Sequence, residues 1–185
     1  ITQRNIIYDD SQYVRENNIP FLGLCLGMQL AVVEYARNVL GLDGANTSEV
    51  DPTSEYPVIK MLDPQRDSET DEFKGYMTVG AQPATLIEGT KAYEAYGRAD
   101  VNERHRHRYG VNLDYLDQLQ DGNFVVSGRT NDRGLIDFIE LKDHPWFVGT
   151  QSHPEFKSTP RDGHPLFIAF VNAAKAMQEE KGSDE

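Results

Sequence analysis

Two short segments carry residues able to do covalent chemistry. The single cysteine, Cys25, lies in Gly23-Leu24-Cys25-Leu26-Gly27, and a histidine–carboxylate pair lies far downstream in His153-Pro154-Glu155. The first reads G-x-C-x-G, the thiol counterpart of the nucleophile elbow, in which a sharp strand-to-helix turn lifts one side chain above the end of a sheet. At a helix N-terminus, free N–H groups and the positive dipole end favour thiolate over thiol. The Leu26 N–H could also stabilise an oxyanion. The competing reading is an inert buried cysteine, the commoner fate of a free thiol. In the second segment, residues two apart on an extended chain project to the same side. Glu155 would then fix the ring tautomer of His153 and stabilise its imidazolium, while Pro154 keeps His153 extended. The competing reading there is a surface turn. Taken together the segments predict a Cys-His-Glu hydrolytic site. A second His-Pro, His144-Pro145, precedes its apolar run and lacks a following carboxylate, so it is set aside.

The elements that must position these residues can be read from pattern. Asp9 to Asn18 reads as a helix with Ser11 near its start, and Ile19 to Leu24 as a buried parallel strand. Met28 to Leu40 reads as a largely buried helix closed by Gly41. Gly41 to Pro57 is a polar, turn-rich loop, and residues 63–74 form a charged surface excursion. Strands are expected at Tyr76–Gly80, Ala84–Ile87, Phe124–Gly128, Leu135–Leu141 and Trp146–Gln151. Asn102–Val111 alternates, with Arg104, Arg106 and Arg108 on one face and His105, His107 and Tyr109 on the other. Alone, that run suits a solvated basic edge strand or a phosphate-binding patch. Metal binding by His105 and His107 lacks a third ligand at useful spacing. Short helices are expected at Thr90–Tyr96 and Tyr115–Gln120. Pro165–Gln178 reads as an amphipathic closing helix, with an acidic flexible tail over 179–185. This mixture predicts an α/β fold, a doubly wound sheet with added antiparallel strands.

Composition limits the function. With 185 residues the chain suits one domain, and its hydrophobic fraction of 38% and charged fraction of 26% fit a soluble protein. A net charge of -12 argues against a nucleic-acid surface, which needs clustered Lys and Arg. One cysteine excludes an internal disulfide framework and fits a reducing, cytoplasmic setting. No apolar stretch approaches a membrane span. There is no G-x-x-x-x-G-K-[ST] phosphate loop.

The segment Phe21 to Gln29 resembles the nucleophile segment of class I glutamine amidotransferases, and His153-Pro154-Glu155-Phe156 resembles their His-Pro-Glu segment. Within that class the chain is most similar to the glutaminase domains of CTP synthases. Asn46-Thr47-Ser48-Glu49, Glu103 to Tyr109 and Ser158 to Phe167 carry this closer likeness. The resemblance implies that Cys25 attacks the side-chain amide of L-glutamine, with His153 as base and acid and Glu155 orienting it. It implies that Leu26, Gly27, Met28 and Gln29 line the glutamine site, that Glu49 holds the substrate ammonium, and that Arg108 pairs with its carboxylate. It implies no cofactor in this domain. For the full enzyme it implies a synthetase domain that aminates UTP using ATP and Mg2+, GTP as effector, and a homotetramer.

The chain also departs from the family. No Gly-rich oxyanion segment appears between Ile1 and Asn18, so residues 1–178 are expected to form an amidotransferase domain lacking its N-terminal strands. Ser152 replaces the usual aromatic, Gly110 a common acidic residue, and Gly75 to Gly80 differs from the family pattern linked to GTP control. Two alternatives follow: another class I amidotransferase or γ-glutamyl hydrolase, and a non-catalytic regulatory or binding module of the same fold.

Overall fold

The structure is a computed structural model that describes residues 3–62 and 77–183, with side chains for 10–62 and 77–182. The charged excursion at 63–74 and the segment Gly75-Tyr76 lie outside the described residues. Helix α1 (Gln3–Glu16) leads into strand β1 (Phe21–Leu24) and helix α2 (Leu26–Asn38). Then come β2 (Asn46–Thr47), β3 (Pro57–Met61), β4 (Thr78–Leu86), helix α3 (Lys91–Tyr96), β5 (Asp100–His107) and β6 (Tyr109–Val111). A 3-10 turn and helix α4 (Leu116–Leu119) precede β7 (Phe124–Thr130), β8 (Ile136–Leu141) and β9 (Phe147–Thr150), and α5 (Pro165–Ser183) follows.

Among the described residues the main sheet runs β1-β9-β8-β7-β4-β5, and a small one runs β2-β3-β6. Within the main sheet only β1 and β9 pair in parallel; the other pairings are antiparallel. The α/β class is as expected, with added antiparallel strands making up most of the sheet. Both faces are covered, because successive residues of a strand point to opposite sides. Ile139 and Phe147 face the cluster around α2, whereas Phe138 and Val148 face the cluster that contains Ala92 of α3 and Leu166 of α5.

Several boundaries differ from those expected. Helix α1 begins at Gln3, ahead of Asp9. The two strands expected at 76–87 are one, β4: Gly80 adopts φ 87 without ending it, because β5 pairs along its whole length. Strand β3 was not anticipated; Val58 and Ile59 are fully buried behind a polar loop that hides the short run. Helix α5 continues to Ser183, so residues 179–183 are helical rather than a loose tail.

Two glycines set the depth at which α2 seats on the sheet. Gly23 and Gly149 are partners in the β1–β9 register. A Cβ on Gly23 would lie 2.9 Å from the Gly27 carbonyl carbon and the Met28 nitrogen, backbone atoms of the first helical turn. A Cβ on Gly149 would meet Ile139 Cγ1 at 2.9 Å and Met28 Cγ at 3.0 Å, side-chain rather than backbone atoms. Overpacking of a tight interior costs about 1–3 kcal/mol. Gly23→Ala is therefore expected to lower unfolding free energy by at least that amount, and Gly149→Ala by less. Urea denaturation of both variants checks the order; equal losses would contradict it.

Candidate active site

Cys25 closes the turn between β1 and α2 with φ 48 and ψ -101, a backbone region that costs a non-glycine residue about 1–3 kcal/mol. Two hydrogen bonds hold it there: Cys25 N–H donates to the Thr150 carbonyl at 2.8 Å, and the Cys25 carbonyl accepts from Gln29 N–H at 3.2 Å. Apolar residues drive α2 against the sheet, and the chain must turn within one residue to start it. The elbow predicted from the paired glycines is present.

The sulfur opens on a cavity of about 380 Å³ lined by Cys25, Leu26, Gln29, Glu49, Met77, Arg106, His107, Arg108 and Tyr109. The small sheet builds the far wall. Glu49 follows β2, while Arg108 lies where the chain leaves β5 for β6 and so leaves the main sheet for the small one. Glu49 and Arg108 thus bring opposite charges to one cleft. Gly27 has open space beyond its Cα, but Met28 is fully buried in the core. The Met28 side chain therefore does not line the site, a correction to the expectation for 26–29. Three residues past Cys25 lies the inner face of the helix.

His153 and Glu155 lie outside the cavity lining, just beyond β9. Because Leu24 and Thr150 are register partners, the chain past β9 runs from the same end of the sheet as the elbow. The His153 Nδ1 and Glu155 Oε1 are 2.5 Å apart. The backbone N–H of His153 donates to the Arg104 carbonyl of β5 at 2.7 Å, tying this segment to the strand that carries the arginines. His144, by contrast, is buried and bonds the Val14 carbonyl at 3.1 Å, a structural pin.

Burial pushes the Cys25 thiol above its ordinary range, and the Glu155 and Glu49 carboxylates add to the rise. The Leu26 N–H and the Gln151 amide pull the other way without winning. The pull expected at the helix start is therefore present through the Leu26 N–H, and burial outweighs it.

The alternation over β5 is as expected, with Arg104, Arg106 and Arg108 exposed and Glu103, His105 and His107 buried. Sequence reasoning missed the role of the buried face, and it missed Gln151, whose Nε2 donates to Cys25 Sγ at 3.6 Å. A lone glutamine at a strand end carries no spacing signal. Among the described residues no group of three or more His, Cys, Asp or Glu is arranged to hold a metal, and no helix is long and apolar enough to cross a membrane.

Residues 6–173 match the family model for glutamine amidotransferase class I. The chain is 52% identical over 171 residues to the CTP synthase of Bacillus subtilis (strain 168), covering 92% of this chain and 32% of the relative. It thus spans about a third of that relative's length. The glutaminase domain of Trypanosoma brucei CTPS, solved with bound acivicin, superposes with a TM-score of 0.84 at 34% identity, over 94% of this chain and 66% of that one. A glutamine amidotransferase of Thermotoga maritima gives a TM-score of 0.50 at 15% identity, over 96% and 56%, a likeness of fold alone.

Burial also makes the cleft wall sensitive to acid. It holds His107 neutral, down to about 4, with the Tyr109 carbonyl partly opposing the shift. For Glu103, burial pushes the carboxyl up, but His164 and Lys157 together hold it below the usual carboxylate range. Both folded values lie below the unfolded ones, so the unfolded chain binds more protons and stability is lost as pH falls. For His107 the window runs from 6.5 to about 4, and at about 1.4 kcal/mol per unit this amounts to about 3 kcal/mol. Urea unfolding from pH 7 to pH 4 should show the loss, with a shallower slope in His107→Asn. An unchanged slope would remove His107 as a source.

Proposed function

The chain belongs to the class I glutamine amidotransferase family, and from that premise we propose that it is the glutaminase unit of a CTP synthase. The observation that carries this reading is the shared end of β1 and β9: a cysteine on a strained elbow beside a strand that leads into a histidine–glutamate pair. The 52% identity to a CTP synthase supports the choice within the family.

In this reading L-glutamine enters the cleft with its ammonium toward Glu49 and its carboxylate toward Arg108, whose planar guanidinium suits a carboxylate. The backbone of Leu26 and Gly27 and the amide of Gln29 form the near wall. His153 takes the Cys25 proton, and the sulfur attacks the amide carbon. The oxygen of the tetrahedral intermediate is held by N–H groups at the start of α2, including that of Leu26. As the carbon–nitrogen bond breaks, His153 returns the proton to the leaving nitrogen and ammonia departs, leaving a thioester on Cys25. Water then attacks the thioester with His153 as base, releasing glutamate and regenerating the thiol. Glu155, bonded to Nδ1, keeps Nε2 free for these transfers and stabilises the imidazolium.

Ammonia would pass to a synthetase domain that forms CTP from UTP with ATP and Mg2+, in a cytoplasmic homotetramer with GTP as effector. No step here runs through a metal. Residues 1–178 constitute the amidotransferase domain in this assignment.

In the full protein, Cys25→Ala should reduce glutamine-dependent CTP formation at least about a thousandfold while leaving synthesis from added ammonia intact. Acivicin, a glutamine analogue, should label the wild type at Cys25 with one equivalent. Equal loss of both activities would sink the assignment, and failure to label would favour a non-catalytic module.

A further inference from the structure

The hydrogen bonds behind the Cys25 sulfur run in one fixed direction. They start at the backbone carbonyl of Tyr109, which can only accept. That oxygen takes one bond from Gln29 Nε2 at 2.9 Å and another from His107 Nδ1 at 2.9 Å. The first bond decides which end of the Gln29 amide is nitrogen, and its remaining N–H reaches Gln151 Oε1 at 3.1 Å. With its oxygen engaged, Gln151 must turn its own nitrogen to Cys25 Sγ, at 3.6 Å. Flipping Gln29 would set its oxygen against the Tyr109 carbonyl and the Gln151 oxygen, and flipping Gln151 would set N–H against N–H between the two side chains.

The other bond anchors the same carbonyl from behind. Since His107 Nδ1 donates, its Nε2 is a bare acceptor, and it faces His105 Nδ1 at 3.2 Å. His105 Nε2 then lies 3.6 Å from Asp137 Oδ2, with both side chains fully buried. At that separation no hydrogen bond forms, and His105 Nε2 and both Asp137 carboxylate oxygens have no hydrogen-bond partner among the described residues. Gln29 is 3% exposed and Gln151 2%. Buried amides that lose a partner are penalised by roughly 1–3 kcal/mol, so the pair is held in its one satisfied arrangement.

We propose that Gln151 is a positioning residue for the cysteine: its amide N–H, aimed by Gln29 and the Tyr109 carbonyl, holds the Cys25 sulfur toward the cleft and favours its anionic form. This rests on the reading of Cys25 as the nucleophile of glutamine hydrolysis. An N–H donor binds an ionised acceptor about twice as strongly as a neutral one, so the contact favours thiolate over thiol. The charged groups around the sulfur are Glu49, Arg106 and Arg108 at the cavity and Glu155 past β9, with the titratable His153 beside Glu155; His107 is neutral there. The two carboxylates oppose the thiolate, while the arginines, the Leu26 N–H and the aimed amide favour it; of these, Gln151 is the side chain bonded to the sulfur.

The test is the pH dependence of Cys25 alkylation by iodoacetamide in the full-length protein, followed on the Cys25 peptide by mass spectrometry. Gln151→Met keeps the length and removes the donor; it should raise the titration midpoint by about one unit and slow alkylation near neutrality about tenfold. Gln151→Glu still accepts from Gln29 but sets an oxygen against the sulfur, and should raise the midpoint further. Gln29→Met leaves Gln151 present but unaimed and should give a smaller rise, which keeps the test open if substitution at 151 prevents folding. A merely structural role would change melting temperature without ordering the midpoints in this way. Midpoints equal to wild type in folded variants would overturn the proposal. Glutamine hydrolysis by Cys25→Ala, read in parallel, judges the functional reading separately: retained hydrolysis would end that reading whatever the midpoints show.

Discussion

The fold depends on a close approach of helix to sheet at one point. Strand β1 must end, turn within one residue and send α2 back over itself, and it does so only because Gly23 and its register partner Gly149 present no side chain to the first helical turn. That approach has two consequences. It forces Cys25 into a backbone conformation that other residues rarely adopt, paid for by the buried face of α2 packing on Ile139 and Phe147. It also brings α2 against β9, so that the chain past β9 emerges beside the elbow. A thiol and an imidazole far apart in sequence share one end of the sheet because two glycines share one register.

Strand β5 performs the corresponding work on the other wall. Its outward face carries Arg104 and Arg106, with Arg108 just past its end, and its inward face carries Glu103, His105 and His107. Its backbone is used as well, since the Arg104 carbonyl accepts from His153 N–H and the Asn102 carbonyl accepts from Lys157 at 2.7 Å. Lys157 and His164 also meet the Glu103 carboxylate, at 3.0 and 3.2 Å. The segment beyond β9 is therefore fastened to β5 on both sides of the His-Pro-Glu sequence. Tyr96 belongs to this buried group; burial, reinforced by Glu103, holds its phenol far above the ordinary range, so it stays neutral. One strand thus carries Arg104 and Arg106, leads into Arg108, and holds the histidine segment by its backbone.

Most of this was legible where a pattern has a single physical cause. Glycines flanking a cysteine between an apolar run and a helical one imply a sharp turn, and the elbow is there. Period-two alternation from Asn102 implies one buried and one exposed face, and both are as expected. Legibility failed where the cause is tertiary. Strand β3 is too short to stand out after a polar loop, and it exists because α2 and β6 bury Val58 and Ile59. Two strands were expected, at Tyr76–Gly80 and Ala84–Ile87, yet pairing with β5 carries β4 through the interval between them. Met28 stood within the motif, but helical geometry turns it inward, against Gly149. Gln151 was invisible because an amide acquires its meaning from the groups that orient it.

The chemistry of the cleft explains why an amide, rather than a cation, is suited to the place behind the sulfur. A lysine or arginine there would favour the thiolate more strongly, but under the proposed function the site would also have to admit an ammonium-bearing amino acid and release ammonia. A buried cation would repel the first and disfavour protonation of the second. It would also need its own counter-charge in a region where Gln29, Ser152 and Thr150 are all buried and uncharged. A neutral donor avoids both penalties, at the cost of a weaker pull on the thiol proton. That weaker pull agrees with a thiol held above its ordinary range in the free cleft. In the proposed mechanism deprotonation is left to His153, whose Nδ1 partner Glu155 is 44% exposed and able to stabilise the imidazolium when it forms. On that proposal the division of labour follows from burial: neutral amides aim the sulfur where water is excluded, and the histidine–carboxylate pair acts where water still reaches.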